Sequence, residues 1–533
     1  MTAVPPPTLR LGGKRYPVIR PSWRDPRLLV AAVVLSILVI GVAALGFRVS
    51  VPQILAALIA GALIEIGWTL YREGRLVWPA SALNTVAGIA LLMRVVGTES
   101  GDYWSWRGWY LFALVGAFAL FTKYAVRYRG THVFNPSNVA LVLAFLVLGS
   151  SRVEPLDFWW APLSNGWMVA AYAIILAGGL YIAYRLDLLP MPVAFWLTLV
   201  AGLGLLAASG HCISARWSLQ PVCGSEFWWV VVISPEILFF LFFMITDPKT
   251  IPAGRVARVV FAVCVALLCT LLIAPQTTEF GAKVALLAGL VLMSPLRAVF
   301  DRYFPERNLE RSRLGEFVST ISTSGGVGVG PSRTFRRGAL GGALAVVVAV
   351  LIVTAGAPAR EPAFAVPTGE AIDISVAVDP ATLPAVTVDA GVTALNSNIA
   401  GESADALAMM LAENLAIEAE AMHRGESELL LAANFGPRLT DMQSRVERSV
   451  ATGEWVVAGY LFESLHLRVV ETVGGQGADL GFAATGTVEQ VTYDADGVEI
   501  SRQAVPFSSL FVLRQAMGDR WLITDQRSEA EAP

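Results

Sequence analysis

Charge is what this chain has least of. Only 15% of its 533 residues are charged, while 55% are hydrophobic and the mean hydropathy is +0.60. Soluble domains carry about a quarter charged residues, so a freely soluble globular protein is excluded. An integral membrane protein is implied, with the lipid bilayer as its first partner. Cysteine is also scarce. The four present, Cys212, Cys223, Cys264 and Cys269, show none of the CxxC-type spacings that hold iron–sulfur centres. No metal site follows from them. Lysine is absent from residues 357–533, where 10 arginines face 26 acidic residues for a net charge of −16, leaving +13 on the rest of the chain. An acidic segment without a basic patch excludes nucleic acid and anionic lipid as its partner.

What the chain has in abundance is long apolar runs. Spans able to cross a bilayer as helices occur at about 28–47, 51–71, 78–97, 108–126, 133–149, 166–184, 191–209, 227–246, 257–274, 281–300 and 338–356. The connections alternate in charge. Arg72 and Arg75, then Lys123, Arg127 and Arg129, then Arg185, then Lys249, Arg255 and Arg258, and last the cluster Arg297 to Arg337 fall in every second loop. Loops between them carry Glu99 and Asp102, Glu154 and Asp157, Glu226 and Glu279. The positive-inside rule then places the basic, Pro-rich segment 1–27 in the cytoplasm of a multi-pass cell-membrane protein and residues 357–533 outside. The first span is long and lacks a small-residue cleavage site, which reads as an uncleaved anchor.

Two stretches interrupt the apolar spans with polar and helix-breaking residues. The first is Arg129–Leu143, RGTHVFNPSNVALVL, in which Asn135, Pro136, Ser137 and Asn138 stand at the mouth of a helix. In lipid such backbone must be buried in protein or line a cavity, so these residues form a candidate ligand or cofactor site. The second is Ser234–Lys249, where Glu236 lies in an apolar run and Thr246, Asp247 and Pro248 end it. Proline explains the stop. An aspartate at a helix C-terminus opposes the dipole, so Asp247 serves either a turn locked with Lys249 or Arg255 or a polar wall of a buried site. Glu65 is a second intramembrane carboxylate and a functional candidate; its structural reading is a pair with Arg72 or Arg75. Arg94 reads as a snorkelling side chain. Cys212 and Cys223 share an outward loop and are a disulfide candidate, with two free thiols as the alternative. Cys264 and Cys269, about 140° apart on one helix, do not converge. The SGGVGVGPS run of the linker 305–337 lacks the strand and Lys-Ser/Thr of a phosphate loop.

After an eleventh span at 338–356, residues 357–400 read as an extended linker. Residues 401–528 read as an α+β domain, with helices at Ala404–His423 and Leu439–Val450 and then strand-like runs at Gly459–Thr472, Leu480–Tyr493, Ile500–Leu513 and Arg520–Asp525. The turn Asp494-Ala-Asp-Gly497 is a hairpin signal. This order resembles the cone-shaped NTF2-like fold, and an assembly or protein-partner role fits better than catalysis. His423 and His466 stand alone in it.

The membrane core, residues 28–304, resembles the NqrB/RnfD family, the flavin-carrying membrane subunits of Na⁺-translocating NADH:quinone reductase and Rnf electron-transport complexes. The residues that carry this are Ser81-Ala-Leu with Gly88, Lys123 with Gly130 and Phe134-Asn135-Pro136, and Phe242-Phe243-Met244-Ile-Thr246-Asp247-Pro248. The FNPSN form looks closest to the family's enediyne-cluster-associated branch. The resemblance implies a ten-helix core, flavin chemistry, and electron transfer in or across the membrane with other membrane or redox subunits. One departure bears on the cofactor. Respiratory members attach FMN through a threonine in the outward loop after the fifth helix, and here that loop, SSRVEPLDFWWAPLSNG, contains none. Noncovalent FMN or riboflavin is therefore the expected form, with Lys123, Asn135, Pro136, Ser137, Asn138, Thr246, Asp247 and Lys249 around it. The alternative is a transporter on the same scaffold without a cofactor, moving a small metabolite or ion past Glu65 and Glu236. A short echo, Phe134…Val139-Ala-Leu and Phe280…Val284-Ala-Leu, fits an inverted repeat.

Overall fold

Four helices in the apolar part of the chain begin where a small polar side chain meets a proline. Asp25 caps α1 (Pro26–Ala44), accepting from the Arg27 amide, and Ser50 caps α2 (Val51–Trp68) in a reciprocal capping box with Gln53. Asn135 caps α5 (Pro136–Leu148) in the same way, accepting from the Asn138 amide. Such caps satisfy amides that no helix can, for about 1 kcal/mol each. Between these lie α3 (Ala80–Leu92) and α4 (Trp109–Ala125), and α5 covers Pro136–Leu148. Next come α6 (Gly166–Arg185), α7 (Pro190–Ala208), α8 (Gly224–Ile233) and α9 (Pro235–Phe239, prolonged by a π turn at Phe240–Met244). Then follow α10 (Arg255–Ile273), α11 (Glu279–Met293), α12 (Arg297–Tyr303) and α13 (Ala345–Ala355).

The computed structural model describes residues 7–11, 14–22, 25–98, 101–150, 152–156, 165–213, 215, 221–304, 345–360, 378–395, 399–471, 478–515 and 520–528. The linker 305–337 lies outside them, as does the loop segment 157–164. Two units emerge, Met1–His211 with Cys223–Ala359, and Cys212–Val222 with Arg360–Pro533.

Among the described residues, seven helical stretches of the first unit are long and apolar enough to cross a membrane, and α3, α4, α5 and the described part of α13 are shorter. The eleven expected crossings are thus not eleven equal helices. The shortening has a local cause at α3, which stops at Met93 because the chain turns extended there. Strand β4 (Met93–Val95) pairs antiparallel with β7 (Val153–Pro155). Arg94 does not snorkel; it is 2% exposed and bonds Glu154 at 2.8 Å. Glycines let neighbouring helices approach. A Cβ on Gly61 of α2 or Gly116 of α4 would come within 2.8 or 3.2 Å of Val86 on α3.

The strands outside the long sheet are short. The segment before α1 is not a bare lead: β1 (Thr8–Leu11) and β2 (Lys14–Ile19) form a hairpin that β3 (Leu76–Val77) joins. Strands β5 (Arg127–Tyr128) and β6 (Thr131–His132) make a tight hairpin ahead of α5. Strands β8 (Cys212–Ile213) and β9 (Val222–Cys223) pair, and Cys212 and Cys223 are disulfide-bonded, whereas Cys264 and Cys269 are free.

The second unit is α+β. Three long strands, β11 (Trp455–Glu471), β12 (Ala478–Tyr493) and β13 (Glu499–Gln515), run antiparallel, and β14 (Trp521–Ser528) pairs with β13. Residues 386–388, expected within the extended linker, instead add as a parallel strand β10 (Val386–Val388) beside Leu465–Leu467. After the short α14 (Ala390–Leu395), helix α15 (Glu402–Arg424) lays Leu407, Leu411 and Leu415 on Leu467, Phe482, Phe511 and Ile523. Helix α16 (Gly436–Thr452) packs Met442 and Val446 against α15 and Leu430. The hairpin at Asp494–Gly497 forms because the Asp494 carboxylate accepts from the Asp496 and Val498 amides. Gly486 of β12 faces the irregularity between Phe462 and Ser464 on β11, and a Cβ there would lie 2.0 Å from the Leu461 carbonyl oxygen.

Two outcomes follow. Gly486→Ala should destabilise the second unit by about 1–3 kcal/mol, read as a lower midpoint in denaturant. Unfolded but unreduced protein should take up alkylating reagent only at Cys264 and Cys269, and reduction should add Cys212 and Cys223 by mass.

Candidate functional site

The site forms at the end of the first unit where α1, α3 and α5 begin and α4 and α6 finish. Asn135 organises it. Its Oδ1 accepts from the Ser137 hydroxyl at 2.8 Å and from the Asn138 amide at 3.3 Å, while its Nδ2 donates to the Met244 carbonyl at 3.2 Å. One side chain thereby caps α5 and ties it to the π turn. Beyond that turn the Thr246 hydroxyl bonds back to the Phe242 carbonyl. Asp247 then holds two partners. Its Oδ1 accepts from the Lys249 amide at 3.1 Å, and its Oδ2 lies 3.1 Å from His132 Nε2. Arg255 pairs with Asp187 instead. Both readings of Asp247 therefore apply at once, since it locks the turn and walls the cavity.

Behind the polar wall sits a buried charge network. Lys123 Nζ lies 3.0 Å from Glu65 Oε1 and donates to the Ser81 hydroxyl at 3.0 Å. Tyr124 donates to the same carboxylate at 3.2 Å, and the Ala82 amide donates to Glu65 Oε2 at 2.7 Å. That amide belongs to the first turn of α3, so the carboxylate also meets the positive end of a helix dipole. Glu65 and Lys123 side chains are only 9% and 8% exposed. The expected partners of Glu65 are engaged elsewhere, Arg75 with Glu73 and Arg72 over the Trp68 ring.

These groups surround a cavity of about 380 Å³, within the 300–1,000 Å³ range of ligand sites. Its polar end carries Lys123, Lys249, His132, Asp247, Asn135 and Ser137, and Asp25, Arg27, Asn84 and Thr85 add a rim. Its apolar wall is Val30, Val34, Ile182 and the phenylalanines Phe239, Phe242 and Phe243. Phe242 is held there by close packing, because a Cβ on Gly179 of α6 would come 2.4 Å from its ring. Asn84 donates through Nδ2 to the Arg27 carbonyl, while its buried Oδ1 has no hydrogen-bond partner among the described residues. An orphan acceptor beside an apolar wall offers a ligand N–H or O–H its place.

Of the residues singled out from the sequence, Lys123, Asn135, Pro136, Ser137, Thr246, Asp247 and Lys249 all line this one cavity. Asn138 does not; its amide points away to the Leu287 carbonyl of α11 at 3.0 Å. Glu65 backs Lys123 without lining the space. Glu236 belongs to another cluster, with Lys283 Nζ 3.2 Å from Glu236 and 2.6 Å from Glu279. The break before α9 releases carbonyls that structural side chains recapture: Ser234 Oγ, Trp196 Nε1 and Tyr172 OH donate to Val231, Val232 and Ile233. His132 and Lys283 escaped the sequence reading. A usable signal was scarcity, for the chain has four histidines and only four lysines among its 39 basic residues. Three of those lysines, Lys123, Lys249 and Lys283, stand in these two clusters. No protein-family model matches the chain, and no curated protein matches it.

Two measurements probe this geometry. Glu65→Gln or Lys123→Met alone leaves a buried charge uncompensated and should cost about 3–5 kcal/mol; the double variant should cost less than the two added, read by thermal unfolding in detergent. His211, in the connection after α7, is fully buried against the Phe227 ring at 4.6 Å, and burial pushes its imidazole down to about 4. Between pH 6.5 and 4 the unfolded chain then binds the extra proton and the folded one does not. Stability should fall across that window by up to about 1.4 kcal/mol per pH unit, and His211→Phe should remove the slope.

Proposed function

We propose that the cavity holds a flavin noncovalently and that the protein is a membrane electron-transfer component resembling NqrB/RnfD subunits. The observation that carries this is convergence: six residues chosen from two distant stretches, together with Lys123, wall one space of about 380 Å³. The residues present fit the group. An isoalloxazine offers an imide N–H for the orphan Asn84 oxygen, an apolar edge for Phe239, Phe242 and Phe243, and carbonyl oxygens for cationic donors. Lys123 and Lys249 stabilise negative charge at the polar end, and Asn135 and Ser137 orient the ring through the α5 mouth. Glu65 keeps Lys123 pointed at the cavity, and the His132–Asp247 pair holds a proton at its edge. The flavin, when bound, supplies one- and two-electron chemistry; the chain positions it and excludes water. Loop charges support a cytoplasmic location for this end. The second unit, with α15 and α16 packed on one face of its sheet, supports an NTF2-like reading for an outer, partner-binding domain.

The purified protein tests this directly. It should release FMN or riboflavin on acid precipitation, with flavin absorbance in the native spectrum and none left on the pellet. Lys123→Met with Glu65→Met, and separately Asn135→Ala, should lower the retained flavin severalfold. A colourless preparation with no extractable flavin overturns the proposal.

A further inference from the structure

The second unit contains a buried charge that its packing does not require. Arg438 on α16 makes a two-point pair with Glu418 on α15, Nε to Oε1 at 2.8 Å and Nη2 to Oε2 at 2.5 Å. The two side chains are 6% and 5% exposed. Burying such a pair costs desolvation that well-packed apolar residues of similar volume would avoid. The guanidinium is also incompletely used, because Nη1 takes no part in the pair and Arg438 has no other hydrogen-bond partner among the described residues.

Arg438 lines a cavity of about 510 Å³ between the two helices and the sheet. Its turn-related neighbours Arg445 and Arg448 line the same space, as do Tyr460 and Gln490 from β11 and β12. Glu418 and Glu454 are the acidic groups there, and Arg445 is also paired with Asp441 at 2.9 Å, so three guanidiniums meet three carboxylates. This local balance of charge stands within a segment of net charge −16. A second cavity of about 690 Å³ shares Arg438, Arg445, Tyr460 and Gln490, and adds Asp441 and the paired Arg527 and Asp525, so that four guanidiniums and four carboxylates line the two together. The sheet supplies an aromatic patch beside the charges. Tyr460 meets Phe507 at 5.3 Å and Phe511 at 5.6 Å, with Phe462 at 6.3 Å.

We infer that this groove is a binding site for a small organic anion with an apolar or aromatic body, its carboxylate on Arg438 Nη1 and Arg445 and its body on Tyr460 and Phe507. Arg438 is preorganised for the task. Glu418 holds the guanidinium plane from one edge, which leaves the other edge fixed toward the cavity, where a planar carboxylate fits better than a spherical ion. Gln490 adds an amide at the same wall. The inference is independent of any flavin in the first unit.

The test uses the full-length protein in detergent micelles, with 2-naphthoate as probe and 2-naphthamide and inorganic phosphate as comparators, followed by titration calorimetry. Saturable one-to-one binding of 2-naphthoate is expected, at least about tenfold tighter than 2-naphthamide, as the loss of one charge-assisted hydrogen bond demands. The volume-conserving pair Glu418→Met with Arg438→Met should abolish binding without lowering the thermal midpoint. Arg445→Ala with Arg448→Ala, both on the exposed side of α16, should weaken it severalfold and serves as the deciding variant if the buried pair cannot be replaced. No saturable binding, equal affinity for the amide, tighter binding of phosphate alone, or unchanged affinity in the Arg445/Arg448 variant overturns the inference.

Discussion

In a lipid environment a charge or a backbone group taken from water has to be answered by protein, and the membrane unit is built around meeting that demand at a few points. Lys123 and Glu65 are the central case. Each would be prohibitively placed alone, and together they draw in Ser81, Tyr124 and the first turn of α3. The pair thereby joins α2, α3 and α4 at one level. Because Lys123 also faces the cavity, the interaction that makes the charge tolerable also aims it.

The same demand explains the broken helices. Where α5 opens, the Asn135 side chain supplies both the cap and the cross-link to the π turn. Where α8 gives way to α9, Tyr172 and Trp196 take up the freed carbonyls. The two breaks therefore differ in consequence. The first leaves polar side chains facing a cavity; the second is closed by donors from neighbouring helices and is structural. Polarity at a membrane helix mouth is thus an ambiguous sign, and the partners decide what it means.

Much of the first site was legible because its residues violate the rule of the surrounding sequence. Asn135, Pro136, Ser137, Asp247 and Lys249 are conspicuous in apolar runs, and two such interruptions invite pairing. His132 was less conspicuous because a short basic connection tolerates any polar residue. Asn84 lay among small residues that equally suit close helix packing. Asn138 shows the limit of reading by neighbourhood: three residues after Asn135 on a helix, it turns about 60° away and bonds α11 rather than the cavity.

The sequence alone determined that the chain is membrane-embedded, roughly where its apolar helices fall, which end of the chain carries the acidic α+β domain, and which residues stand out from lipid. These are consequences of solvation, a property each residue and its near neighbours carry with them. Partnership was decided only in three dimensions. That Glu65 answers Lys123 and not Arg72, that Arg94 is buried on Glu154, that Asp247 meets His132, and that residues 386–388 add a strand beside Leu465–Leu467 all depend on segments far apart in the chain. Charge and hydrogen-bonding capacity are written locally, but which group satisfies them is set by how helices and strands pack.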